Sequence, residues 1–304
     1  MTELAELIRS ATERLSAVGV PSARHDAEAL AVHVLGVPRS RLPAFGSPTG
    51  EERSAYHVAV DRRAAREPLQ HITGRAAFRH LDLAVGPGVF VPRPETEVVI
   101  DWCLAALARE SAASAGDSPG IGPAVVVDLC AGSGAVALAI ATERPDTVVY
   151  AVEREPAAYR WLERNVAASG VGGGRVCCVL ADIGMLPPTV ADLAGTVDLV
   201  VSNPPYIPLG SRPLDPEVAK HDPAAALWAG VDGLDVIRTV ALVATGLLRP
   251  GGALALEHAD VQGAAVLRLL IDAGWASVAD HRDLTGRDRF ATANREYRAG
   301  AEGD

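Results

Sequence analysis

No stretch of the 304 residues stays apolar for the roughly 18 positions that a membrane-spanning helix needs, so a membrane protein is not expected. The first ten residues, MTELAELIRS, carry Glu3 and Glu6 where a secretory leader has cations before an apolar run, which disfavours secretion. No C-x-x-C pair occurs among the four cysteines, Cys103, Cys130, Cys177 and Cys178, so neither a zinc ribbon nor a thioredoxin-like site is written here. All four are expected to be reduced thiols of a cytoplasmic protein, packed as small core residues. The eight histidines lack metal-ligand spacing, and no metal is expected. Lysine occurs once, at Lys220, the other 27 basic residues being arginine, which reads as base-composition bias; the net charge is −10, so a general nucleic-acid binder is disfavoured. A G-x-x-x-x-G-K-[ST] loop is absent, which excludes the usual NTP-hydrolysing site. No internal repeat or heptad appears.

What is present is a globular chain, 49% apolar and 22% charged, long enough for two domains. Up to about residue 75 the pattern is helical. Leu4, Leu7, Ile8, Ala11, Leu15 and Val18 recur at three- and four-residue steps, and Ala27, Leu30, Ala31, Val34 and Leu35 form a second stripe ending at Gly36 and Pro38. Ser22 is placed to cap the second helix, and Thr49 with Glu52 forms a capping-box pattern for a third that ends before Pro68. A small bundle is expected. The period then changes to two. Leu81, Leu83 and Val85, the turn Gly86-Pro87-Gly88 and Val89-Phe90-Val91 predict a hairpin, followed by a helix that Thr96 can cap. Residues 110–123 read as a polar loop. From Ala124 onward, strands are predicted at 124–129, 147–153, 176–180, 197–202, 253–258, 275–281 and 289–294. The helices between them are predicted at 134–144, 156–169, 233–248 and 261–273. Such alternation gives an α/β fold, a mostly parallel sheet covered on both faces, with a hairpin at its end.

The first of these strands, Ala124–Leu129, runs into Cys130-Ala131-Gly132-Ser133-Gly134 and then a helix. A strand, a tight glycine turn and a helix N-terminus bring backbone N–H groups close to a ligand at the sheet edge where open α/β folds bind nucleotides. The second strand ends in Glu153, placed for two ribose hydroxyls, and the third is followed by Asp182, placed for an adenine amino group. Position 137 is Ala where a pyrophosphate-binding loop has its third glycine. Asp128 precedes the loop and suits an ammonium group. S-adenosylmethionine, which has an ammonium group and no phosphates, therefore fits better than NAD. The fourth strand leads into Asn203-Pro204-Pro205-Tyr206. Two prolines fix two φ angles and leave free carbonyls. In this cradle the Asn203 oxygen and the Pro204 carbonyl can accept both hydrogens of a planar N–H₂ group, with Tyr206 against its plane.

Asn203-Pro204-Pro205-Tyr206 resembles the (Asp/Asn)-Pro-Pro-Tyr motif of amino-group methyltransferases. The whole chain is similar to the bacterial peptide chain release factor glutamine methyltransferase family, with the resemblance running from about Glu67 to Arg298. The similarity rests on Glu67–Gly74, Val91–Glu97, Asp128–Gly134, Asp198–Pro208 and Gly286–Phe290, with Pro92-Arg93-Pro94-Glu95-Thr96-Glu97 the most diagnostic stretch. The resemblance implies a helical domain over 1–75 that docks the substrate, a β-hairpin linker over 76–95, and a Rossmann-like class I methyltransferase domain over 96–304. It also implies S-adenosylmethionine held by Asp128, Leu129, Cys130, Ala131, Gly132, Gly134, Glu153, Asp182, Ile183 and Asn203. Methyl transfer would go to the Gly-Gly-Gln glutamine of class 1 release factors, with Asn203, Pro204, Pro205 and Tyr206 as the catalytic loop. Cys130 and Ala131 depart from the family's usual Gly-Thr, Arg79 from an aromatic, and Ile183 from an aromatic beside the adenine. The chief alternative is an adenine-amino methyltransferase acting on DNA or RNA, since the same cradle suits that base. A non-catalytic adapter and an NAD-dependent dehydrogenase are the weaker rivals. His221 and His258 are expected to serve hydrogen bonding rather than base catalysis.

Overall fold

The computed structural model describes residues 2–114, 122–171, 174–211 and 215–296. The chain forms two compact units that are not consecutive in sequence. One comprises Met1–Arg75, Val85–Pro87 and Arg212–Asp222, and the other Ala76–Ala84, Gly88–Ser211 and Pro223–Asp304.

In the helical unit, α1 (Glu3–Ala17), α2 (Ala23–Leu35), α3 (Gly50–Ala64) and α4 (Leu69–Thr73) enclose a core that includes Leu4, Leu15, Leu30, Tyr56 and Val60. The capping box forms as its sequence predicts: Glu52 N donates to Thr49 Oγ1 (3.2 Å) and Thr49 N to Glu52 Oε2 (2.7 Å). Ser22 makes no side-chain cap bond, and Thr2, which the pattern did not single out, caps α1 instead. A buried ion cluster closes the unit. Arg63 Nε donates to Asp26 Oδ2 and an Arg63 terminal nitrogen contacts Glu217 Oε1, each at 2.7 Å, and Arg66 reaches the same glutamate at 3.0 Å. Glu217 belongs to the short helix Pro216–His221, which no pattern in the sequence predicts.

The larger unit begins with β1 (Arg75–Phe78, its first residue counted with the helical unit) and β2 (Leu81–Ala84), which form a two-stranded sheet. This corrects the expected pairing of Leu81–Val85 with Val89–Val91: the turn is at Arg79-His80, and 89–91 is in no strand. The pairing is set by cross-chain anchors that periodicity does not reveal. Phe78 and Leu83 are buried in one core cluster with Val99, Cys103 and Leu107, and Asn165 bonds both the N–H and the carbonyl of Ala84. Arg79, the departure from an aromatic, instead pairs with Glu143 and Asp101. After a 3-10 turn at Pro94–Thr96 comes α5 (Glu97–Ser114), so the expected loop begins later than 110; residues 115–121 lie outside the described residues.

The elements that follow are β3 (Ala124–Leu129), α6 (Ala135–Glu143), β4 (Thr147–Glu153), α7 (Pro156–Ala168), β5 (Val176–Leu180), α8 (Pro188–Ala191) and β6 (Val197–Ser202). Then come α9 (the helix Pro216–His221), α10 (Asp235–Leu247), β7 (Leu248–Glu257), α11 (Gly263–Asp272), β8 (Ala276–Arg282) and β9 (Asp288–Asn294). The seven-stranded sheet has order β5-β4-β3-β6-β7-β9-β8, with β9 antiparallel to both neighbours, so the closing hairpin inserts its second strand next to β7. Alternate strand residues divide between two cores: Val126, Leu199, Val201 and Ala255 pack on the α5–α6 face, and Val127, Val200, Leu254 and Leu256 on the α10–α11 face. Among the described residues no helix is long and apolar enough to cross a membrane.

Replacing Arg63 with alanine is expected to destabilise the helical unit by about 3 kcal/mol, because Asp26 keeps a buried charge without its partner. Chemical denaturation followed by circular dichroism measures this.

Candidate active site

Parallel register assembles the site. Leu129 of β3 pairs with Val152 of β4 and Ser202 of β6, and Ser202 pairs with Leu256 of β7. The next residues along these strands, Cys130, Glu153, Asn203 and Glu257, therefore emerge at one level. The order turns from β4 to β6 about β3, the switch point at which open α/β sheets bind ligands.

On the β3–β4 side the glycine loop is drawn tight. Cys130 (φ 67), Gly132 (φ 57) and Gly134 (φ 84) are left-handed. Cys130 thus carries a strain of ~1–2 kcal/mol where the family's usual residue is glycine. Its loop is held by Ala131 N to Val152 O (2.9 Å) and Ser202 Oγ to Leu129 O (2.6 Å). A Cβ at Gly134 would stand 2.6 Å from Leu162 Cδ1, whereas one at Gly132 would meet nothing within 4 Å, so the space in front of Gly132 is open to a ligand. Glu153 Oε2 accepts from Gly132 N and Oε1 from Glu155 N, each at 2.8 Å. Each oxygen retains a lone pair for a ribose hydroxyl. Burial pushes the Glu153 carboxyl up, and the backbone donors oppose it. Asp182 is exposed, with Oδ1 accepting from Gly184 N (2.8 Å), and Ile183 beside it is buried. Asp128 lies beneath the loop, 1% exposed, with Oδ2 accepting from Ala137 N at 3.1 Å. Burial pushes it up to about 8.

On the β6–β7 side, Pro204 and Pro205 are buried and Asn203 and Tyr206 are half-buried. Asn203 Nδ2 donates to Thr96 Oγ1 (3.2 Å), Thr96 Oγ1 donates to Glu257 Oε2 (2.7 Å), and the Tyr206 hydroxyl donates to Glu257 Oε1 (3.3 Å). Burial, with the Glu257 charge beside it, pushes the Tyr206 hydroxyl up, so it stays a donor. Burial also raises Glu257, to about 7. Gln262 Nε2 donates to the Tyr206 carbonyl at 3.0 Å and fixes the loop from below. Thr96, Glu257 and Gln262 were not singled out in the sequence for this site. Thr96 stands where a helix cap would, just before α5, and Glu257 ends β7 with no local motif around it. His258 is wholly buried between the Ala259 carbonyl (2.9 Å) and Asp280 (3.1 Å). His221 ends α9 in the helical unit. Among the described residues no three His, Cys, Asp or Glu side chains gather as a metal site.

The fold is shared with the hMettl16 catalytic domain, solved in complex with the MAT2A 3′UTR hairpin 6. The TM-score is 0.55 at 13% identity, covering 79% of this chain and 82% of that one. Sheet order and site together define a class I S-adenosylmethionine-dependent methyltransferase fold. Residues 6–74 match the family model described as PrmC N-terminal domain, and residues 70–211 the model described as Conserved hypothetical protein 95. The chain is 49% identical to the release factor glutamine methyltransferase of Streptomyces coelicolor, over 95% of this chain and 96% of that protein. It is 47% identical to that of Mycolicibacterium smegmatis, over 98% of this chain and all of its relative. The chain belongs to the release factor glutamine methyltransferase family. The likeness spans the helical unit too, beyond the stretch from Glu67 to Arg298 that the motifs carry.

A pH–stability measurement tests the burial of Asp128. Folded Asp128 holds its proton up to about pH 8, whereas the unfolded group loses it near 4. The native state therefore binds more protons across that window, and this group's contribution to stability falls as pH rises through it. Asp128→Asn is expected to show a shallower loss of Tm between pH 5 and 8 than the parent chain.

Proposed function

We propose that this chain transfers the methyl group of S-adenosylmethionine to the side-chain amide nitrogen of the glutamine in the Gly-Gly-Gln motif of class 1 peptide chain release factors, in the cytoplasm. The observation that carries the reading is 47–49% identity over nearly the full length to release factor glutamine methyltransferases, joined to an acceptor loop that the strand register sets level with the glycine loop. The helical unit, which matches a family model of its own, is assigned to docking the release factor.

S-adenosylmethionine supplies an electrophilic methyl carbon on a sulfonium. Glu153 offers acceptors to the ribose hydroxyls and Asp182 to the adenine amino group, with Ile183 as the apolar wall. Cys130, Ala131, Gly132 and Gly134 form the loop around the methionine end, with Asp128 and Leu129 at the end of β3 beneath it. The harder problem lies on the acceptor side, because an amide lone pair is delocalised and a poor nucleophile. Asn203 Oδ1 and the Pro204 carbonyl accept the two amide hydrogens and hold the nitrogen's plane, with Pro205 stiffening the loop and Tyr206 packing against the amide. This orients the nitrogen for in-line attack at near-attack distance. The same oxygen dipoles stabilise the positive charge that develops on nitrogen. As the N–C bond forms, the C–S bond breaks with its electron pair on sulfur. The product ammonium-like nitrogen then gives its proton to water. The adenine amino group presents the same planar N–H₂, but the net charge of −10 disfavours a nucleic-acid partner.

Incubation with labelled methyl donor and a purified class 1 release factor is expected to place the label on the Gly-Gly-Gln glutamine; an unlabelled release factor overturns the reading. Asn203→Ala should lower kcat by about 100-fold while the Kd for S-adenosylmethionine changes little. An unchanged kcat removes Asn203 from the chemistry.

A further inference from the structure

An amide side chain has two chemically different ends: an oxygen that only accepts and an N–H₂ that only donates. The acceptor cradle works only if the Asn203 oxygen faces the acceptor nitrogen, yet the two ends have nearly the same shape, so packing alone does not choose between them. Hydrogen bonding does. With Glu257 ionised, the Thr96 hydroxyl directs its one proton 2.7 Å to Glu257 Oε2. Its oxygen is then left only with lone pairs, and these receive Asn203 Nδ2–H at 3.2 Å. A flipped amide would set Asn203 Oδ1 against those lone pairs with no proton between them. Thr96 and Glu257 are 4% and 2% exposed, so water does not take over either role. The other oxygen of Glu257 accepts the Tyr206 hydroxyl, so one carboxyl orders both ends of the Asn-Pro-Pro-Tyr loop.

We infer that Thr96 and Glu257 are positioning residues that set the polarity of the Asn203 amide and hold Tyr206, so that the acceptor cradle presents oxygen rather than N–H₂ to the nitrogen being methylated. This rests on the proposed glutamine methylation and adds two side chains remote in sequence from the loop. The Pro92–Glu97 stretch, the most diagnostic piece of the sequence, thereby gains a physical role, since it delivers Thr96 to the end of β6. The register of β6 with β7 delivers Glu257 to the same place.

The test compares Thr96→Val, which keeps the shape and removes the hydroxyl, with Thr96→Ser, which keeps the hydroxyl. Single-turnover and steady-state methylation of a purified release factor are measured for both, with Tm and the Kd for S-adenosylmethionine. Thr96→Val is expected to lower kcat by about 100-fold, with KM and Kd within threefold, and Thr96→Ser to restore kcat to within threefold of the parent. On an Asn203→Ala background Thr96→Val should have no further effect, because Thr96 acts through Asn203. Glu257→Gln is an independent arm: a carboxamide has one acceptor oxygen for two donors, and kcat should fall at least tenfold. The inference is overturned if Thr96→Val keeps the parent kcat, if its effect multiplies with that of Asn203→Ala, or if Thr96→Ser falls as far as Thr96→Val. Should Thr96→Val not fold, the serine and Glu257→Gln arms decide: parent-like kcat in Glu257→Gln overturns it. A parent enzyme that leaves the release factor unmethylated fails the functional reading instead, so the two failures are distinct.

Discussion

Everything at the site depends on the register of three parallel strands. Leu129, Ser202 and Leu256 stand abreast, so each strand delivers its next residue to the same level of the sheet edge. One-residue slippage of β6 would turn Asn203 to the other face and exchange Val200 with its neighbours between the two cores. The two apolar clusters thus do more than stabilise the fold. They lock the alternation of Leu199, Val200 and Val201, and through it the direction in which the acceptor loop leaves the strand.

The two halves of the site solve opposite electrostatic problems with the same means. On the donor side a buried carboxylate, Glu153, is met by backbone N–H groups and keeps acceptor capacity for neutral hydroxyls. On the acceptor side Glu257 receives side-chain hydroxyls instead. Both carboxyls are raised by burial, and neither is left without donors. Fully satisfied buried networks are rigid because each unmade bond is expensive there. Rigidity is what a reaction at a poorly nucleophilic nitrogen demands, since alignment contributes a large part of the barrier reduction.

Much of this was readable in the chain because it is local. The strand–helix alternation after Ala124, the capping box at Thr49 and Glu52, the glycine turn and the proline pair each announce themselves within about ten residues. What escaped depends on pairs far apart in sequence. Thr96 and Glu257 are 161 positions apart, and nothing near either indicates the other. The hairpin is shifted because β2 packs on α6 and α7, burying Phe78 and Leu83 in the core cluster that those helices share, beyond the reach of a two-residue period. The helix Pro216–His221 joins the helical unit through Glu217 and two arginines about 150 residues earlier, which no reading of consecutive segments detects. Cys130 shows the reverse case: its sequence departs from glycine, yet the backbone keeps a glycine's conformation because the surrounding hydrogen bonds over-determine it.

The cradle itself does not choose a substrate. In the proposed reading, two acceptor oxygens and an aromatic face would fit any flat N–H₂, whether on an amide or on adenine, and holding that plane would serve both alike. Selection between such acceptors must therefore come from surface that touches the rest of the partner, and a net charge of −10 over the whole chain gives a phosphate backbone no general attraction. The chemistry and the choice of partner are then carried by different residues. The loop and its supporting pair can stay fixed while the surface around them varies, which is the arrangement expected of a fold that hosts many acceptors on one catalytic edge.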